Sequence, residues 1–139
     1  MKVLEIGAGS GYGAALAKEL VGEEGTVVAV EINPDTFRFA KKNLKNIGYD
    51  VEVVLGDGTL GVPDKAPFDA ISVTASTPEI PPPLIKQLGD GGRLIAPVGG
   101  RSMEGQDLIL VQKTGEGITQ RSLMKVVYVP LLGKYGFPA

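Results

Sequence analysis

The chain has 139 residues, 43% hydrophobic and 22% charged, with a formal net charge of −2 and neither cysteine nor histidine. That length holds one hydrophobic core and little more. The composition excludes a disulfide framework, a thiolate nucleophile, a cysteine-based metal site and a histidine general base, and it lacks the basic footprint of a nucleic-acid binder.

The longest cluster of positive charge, Lys41, Lys42 and Lys45, falls at helical spacing and reads as a solvated helix face. No apolar stretch reaches membrane-spanning length, and Met1-Lys2 is not followed by a signal-peptide core. A soluble cytoplasmic protein, with no nucleic-acid or membrane partner, is the expectation.

In chain order, Val3, Leu4 and Ile6 form a short buried strand ending at Gly7. A glycine-rich turn follows, and Ala14 to Val21 reads as a helix closed by Gly22. Thr26 to Glu31 is β-branched and apolar, a second strand. Asn33-Pro34-Asp35 starts a second helix, with Phe37, Ala40, Leu44 and Ile47 on one face. A third strand runs from Val51 to Leu55 and stops at Gly56-Asp57-Gly58, and a fourth from Phe68 to Thr74. A helix from the prolines at 81 to 83 carries Leu84, Ile85 and Leu88, and Gly91-Gly92 turns the chain into a fifth strand, Arg93 to Val98. Leu108 to Lys113 and Ser122 to Val129, joined by Gly115-Glu116-Gly117, read as an antiparallel hairpin. The alternation predicts a doubly wound α/β domain, mostly parallel, with an antiparallel C-terminal hairpin.

Three features collect at the carboxyl ends of the predicted strands, where such sheets bind ligands. Gly7-Ala8-Gly9-Ser10-Gly11 allows a tight turn and close approach of a ligand to the backbone. A dinucleotide fingerprint would need a third glycine at position 12, where Tyr12 stands. Glu31, ending the second strand, can accept from two ribose hydroxyls, or else is a surface carboxylate. Asp57 can accept from the exocyclic amine of adenine, or else is a turn aspartate. Together they predict an adenosine site.

Val3-Leu4-Glu5-Ile6-Gly7-Ala8-Gly9-Ser10-Gly11-Tyr12 resembles the first motif of the protein-L-isoaspartate O-methyltransferase family. So do Gly56-Asp57-Gly58 with Gly61 and Pro63, and Ala66-Pro67-Phe68-Asp69 running through Val73-Thr74-Ala75 to Pro78-Glu79-Ile80-Pro81. The stretch from Leu88 to Gly99 and the closing Val129-Pro130-Leu131-Leu132-Gly133 are similar again. The resemblance implies a Rossmann-like sheet of the class I methyltransferase type, binding S-adenosyl-L-methionine and yielding S-adenosyl-L-homocysteine. It implies methyl transfer to the free carboxylate of L-isoaspartyl residues in damaged proteins, a repair reaction, by a monomer without a metal.

It also assigns residues. Glu5, Gly7, Ala8, Gly9, Gly11, Glu31, Ile32, Gly56, Asp57, Gly58 and Thr74 would contact the cofactor, Glu31 at the ribose and Asp57 at the adenine. Ala75, Val129, Pro130 and Leu131 would line the peptide cleft, and the Thr74-Ala75-Ser76 loop would lie beside the methyl donor. From their residue types, independently of the resemblance, Thr74 and Ser76 with nearby backbone N–H groups are the candidate donors that replace water around the substrate carboxylate. Thr74 could instead simply end a strand and Ser76 cap a turn. Members of the family carry a Gly-Gln-Thr-(Ile/Val)-Ser-like segment ahead of the first strand. Here that strand starts at residue 2, so a single domain over residues 1–139, shortened at its N-terminus, is expected.

A carboxylate of ordinary pKa about 3.9 is already ionised at neutral pH, so the nucleophile needs no base. Orientation is what the protein must supply, and a chain without His or Cys can supply it. Three alternatives stay open at this stage: a class I methyltransferase acting on a small molecule or tRNA, a non-catalytic adenosine-binding fragment, and a nicotinamide-dependent oxidoreductase.

Overall fold

Five apolar runs become parallel strands because each is buried by side chains on both faces of one sheet. The computed structural model describes residues 1–100 and 105–138. Its strands are β1 (Lys2–Ile6), β2 (Thr26–Glu31), β3 (Glu52–Leu55), β4 (Phe68–Val73), β5 (Leu88–Val98), β6 (Gln106–Thr114) and β7 (Gly117–Val126). The helices are α1 (Tyr12–Val21), α2 (Pro34–Asn46) and α3 (Pro82–Gln87). The sheet order is β3-β2-β1-β4-β5-β6-β7, parallel through β5 and antiparallel from there. This is the doubly wound sheet with a C-terminal hairpin that the sequence predicts.

Side-chain alternation divides the core in two. Leu4 and Ile6 of β1, Val28 and Val30 of β2, and Ile71 and Val73 of β4 pack on one face with Leu84 of α3. On the other face Val27 and Ala29 meet Ala14 and Ala15 of α1 and Ala40 and Leu44 of α2. Leu4, Ile6, Phe68, Leu84 and Leu94 are wholly buried.

Local signals fix the helix ends. Asn33 caps α2, its side-chain oxygen accepting from the Asp35 and Thr36 amides at 2.9 and 3.0 Å, ahead of Pro34 in the first turn. α1 begins at Tyr12, two residues before the predicted Ala14, and ends at Gly22.

Other boundaries differ from expectation too: β3 starts at Glu52, β6 at Gln106 and β7 already at Gly117, where Val51, Leu108 and Ser122 were expected. Leu88 belongs to β5, pairing with Phe68, and Gly91-Gly92 lies within that strand. Gly91 has φ +78° and the β4–β5 register shifts between Phe68 and Ala70, so the glycines absorb an irregularity where a turn was predicted. The last strand ends at Val126, and residues 127 to 129 leave the sheet for the strand ends. No helix among the described residues is long and apolar enough to cross a membrane.

Candidate functional site

At the carboxyl ends of β1, β2 and β4 lies a cavity of about 280 Å³. Its lining has two parts, Ile6, Gly7, Gly9, Val30, Glu31, Ile32, Asn33, Gly58, Thr74 and Ala75 from the strand ends and Val129, Pro130, Leu131 and Leu132 from later in the chain. The second part is a strap of chain following β7. The Ser76 amide donates to the Val129 carbonyl and the Leu131 amide to the Ser76 carbonyl, both at 2.7 Å. Leu131 is only 6% exposed and anchors the strap in the core.

The glycine loop hangs from both neighbouring strands. The Gly7 and Ala8 amides donate to the Val30 carbonyl at 2.8 and 3.1 Å. Gly7 has φ +95°, and a Cβ there would lie 2.6 Å from Thr74 Oγ1, so only glycine fits. Glu31 ties the loop to the start of α2: its Oε1 accepts from the Gly9 amide and its Oε2 from the Asn33 amide, each at 3.1 Å. The half-buried carboxylate is thus oriented by two backbone donors and still borders the cavity, which suits it to accept from a vicinal diol.

Of the predicted residues, Gly7, Gly9, Glu31, Ile32, Gly58, Thr74, Ala75, Val129, Pro130 and Leu131 come together on the cavity wall. Ala8, Gly11 and Gly56 are off it. Gly11 serves packing, since a Cβ there would sit 3.0 Å from Leu44 Cγ of α2. Glu5 lies behind the wall beneath α1, 5% exposed, where a Cβ on Gly13 would meet its Oε2 at 2.6 Å. Burial raises its carboxyl pKa from the ordinary 4.5 to about 7. Asp57 is also off the wall. Its Oδ1 accepts from the Thr59 amide and hydroxyl at 2.9 and 2.6 Å, and its Oδ2 from the Lys134 amide at 2.8 Å.

The two expected catalytic hydroxyls are both turned away from the cavity space. Thr74 Oγ1 lies 2.8 Å from the carbonyl oxygens of both Ile6 and Gly7, so its single proton is turned toward the glycine loop. Ser76 is fully buried, its hydroxyl has no hydrogen-bond partner among the described residues, and it does not reach the cavity. Ile6, Val30, Asn33 and Leu132 border the cavity without having been predicted to do so. Each is a chain neighbour of a predicted residue, which is the signal that could have found them.

One sequence family, Protein-L-isoaspartate(D-aspartate) O-methyltransferase (PCMT), matches residues 1–136. A protein-L-isoaspartate O-methyltransferase of Methanothrix thermoacetophila is 51% identical over 138 residues, covering 99% of this chain and 64% of the relative. The chain therefore spans somewhat under two-thirds of that relative's length. A solved protein-L-isoaspartate O-methyltransferase superposes with TM-score 0.91 at 36% identity, covering 98% of this chain and 43% of that one. A putative protein-L-isoaspartate O-methyltransferase of Plasmodium falciparum, solved in complex with S-adenosyl-L-homocysteine, has TM-score 0.77 at 25% identity, covering 94% of this chain and 65% of its own.

Proposed function

Because this chain belongs to the protein-L-isoaspartate(D-aspartate) O-methyltransferase family, we propose that its cavity binds S-adenosyl-L-methionine and that it methylates the free carboxylate of L-isoaspartyl residues in damaged proteins. The observation that carries this reading is the meeting, in one cavity, of the glycine loop and Glu31 with the apolar strap Val129 to Leu132. The first side suits a nucleoside; the second suits a peptide. The Plasmodium relative, solved with S-adenosyl-L-homocysteine, supports the choice of cofactor.

The residues fit that cofactor. Glu31 has a fixed carboxylate for the ribose hydroxyls, and the glycines at 7 and 9 leave the backbone bare where the ligand must approach. When bound, the cofactor supplies an activated methyl group on a sulfonium. The chain's share is orientation. Glu31 and the loop fix one reactant, while the strap wall and Ala75 fix the other and exclude water. Thr74 acts through the loop it braces, holding the Gly7 carbonyl and the turn of the chain in place. Asp57, off the cavity wall and engaged by the Thr59 and Lys134 donors, is given no adenine contact in this reading. No general base is required, because the attacking carboxylate is ionised at neutral pH. A repair role, a cytoplasmic setting and a monomeric state, without nucleic-acid or membrane partners, belong to the same proposal. Of these, the net charge of −2 supports only the lack of a nucleic-acid partner.

The test is transfer of labelled methyl from S-adenosyl-L-methionine to an isoaspartyl peptide, with the matched aspartyl peptide as control. Base-labile label on the isoaspartyl peptide alone is the expected result. Equal labelling of both peptides, or of neither, contradicts the proposal.

A further inference from the structure

The strap does not end at the cavity. Beyond Leu132 the chain forms a closed loop: the Phe137 amide donates to the Leu131 carbonyl at 2.7 Å, and the Gly136 amide to the Gly133 carbonyl at 3.2 Å. The tip of this loop rests on Asp57 and Thr59, which lie at the far end of β3. The Lys134 amide donates to Asp57 Oδ2 at 2.8 Å, and the Tyr135 amide donates to Thr59 Oγ1 at 3.1 Å. The Thr59 hydroxyl donates its own hydrogen bond to Asp57 Oδ1, so the two side chains act as one acceptor surface for consecutive backbone N–H groups.

The fit is close. A Cβ on Gly133 would lie 2.1 Å from Asp57 Oδ1 and 2.9 Å from Thr59 Cγ2, and Gly133 has φ +149°. A Cβ on Gly136 would lie 2.4 Å from the Leu131 carbonyl oxygen. Thr59 is wholly buried and has no place on the cavity wall. A local role for Asp57, capping the single helical turn Gly58–Leu60, accounts for its bond to the Thr59 amide. It does not account for the bonds to Lys134 and Tyr135, more than seventy residues away.

We propose that Asp57 and Thr59 form a clasp that sets the position of the Val129 to Leu132 wall, making Thr59 a positioning residue for the peptide substrate. This rests on the reading of that wall as the peptide side of the cavity. Thr59→Val keeps the shape of the side chain but removes both its hydrogen bonds, and Thr59→Ser restores the hydroxyl. Gly133→Ala disturbs the same contact from the strap.

Limited trypsin digestion of the full chain reads the clasp directly, because Lys134 is exposed at the tip of the loop. Thr59→Val is expected to be cut after Lys134 about fivefold faster than the parent chain, the effect of losing the one typical hydrogen bond that Thr59 makes to the loop, from the Tyr135 amide. Gly133→Ala is expected to be cut faster as well, and Thr59→Ser at the parent rate. In calorimetry with S-adenosyl-L-homocysteine present, Thr59→Val is expected to bind the isoaspartyl peptide about fivefold more weakly. Its affinity for S-adenosyl-L-homocysteine should stay at the parent value. Unchanged cutting in both Thr59→Val and Gly133→Ala overturns the clasp, as does an equal loss of affinity for both ligands. If Thr59→Val fails to fold, Gly133→Ala decides. A parent chain that binds no isoaspartyl peptide overturns the proposed function instead, and the digestion still tests the clasp.

Discussion

The two walls of the cavity face the same space but are held by different means. The inner wall grows out of β1, which is paired on both sides, to β2 and to β4. Its Ile6 and Val30 are buried in the main core. The outer wall is a strap held by isolated bridges, such as Ser76 with Pro130, and by the clasp at Asp57 and Thr59. Val129, at its head, is 71% exposed. A wall that the sheet dictates keeps a constant geometry for a constant ligand. A wall held outside the sheet ladder, by two backbone bonds to Ser76, the buried Leu131 and the clasp, leaves its exposed Val129 free to vary without cost to the fold, as the proposed peptide side would need.

The largest expected effect is on the inner wall. Ile6→Ala should cost about 2–5 kcal/mol of unfolding free energy in urea, because it empties a wholly buried site at the centre of the sheet. A loss under 1 kcal/mol would break the contrast.

Next comes Glu5, the acid beneath the same wall. Its carboxyl pKa rises from 4.5 to about 7 because burial disfavours the charged form. The folded chain therefore holds this proton more tightly than the unfolded one. The stability contributed by Glu5 is complete below about pH 4.5, falls as pH rises toward about 7, and levels off above that. The fall is roughly 3 kcal/mol. Subtracting the urea curves of Glu5→Gln from those of the parent at pH 5, 6, 7 and 8 should isolate this slope. A flat difference would show that the carboxyl is not held in its neutral form.

The smallest effect belongs to the outer wall. Val129→Ala should change unfolding free energy by no more than about 0.5 kcal/mol, while still weakening the isoaspartyl peptide in calorimetry. A destabilisation like that of Ile6→Ala would mean that the strap is as much a part of the fold as the sheet.

The same contrast explains what could be read from the residues alone. The inner wall is legible because its causes are local. A strand ends in Gly7, the loop glycines follow, and a carboxylate closes the next strand at Glu31. Asn33-Pro34 marks the α2 start just as its cap geometry requires. The role of Asp57 is less legible. Two glycines around an acid at a strand end suggest a ligand contact, but its Lys134 partner is a backbone N–H, which leaves no side-chain signature. Gly91-Gly92 misleads for a related reason, since a glycine pair can turn a chain or let a strand pass through an irregularity. For Thr74 and Ser76 the residue types suit donation, but only the packing shows where each hydroxyl goes.

The most direct test of the account is calorimetric titration of S-adenosyl-L-homocysteine into the parent chain and into Glu31→Ala. Removing a carboxylate that accepts hydrogen bonds from a ligand costs about 1.5–3 kcal/mol. One site is expected on the parent chain, with an affinity at least tenfold weaker in the variant and the strap untouched. Equal affinity in the two chains would contradict the placement of the cofactor at the end of β2, and with it the division of the cavity into two walls.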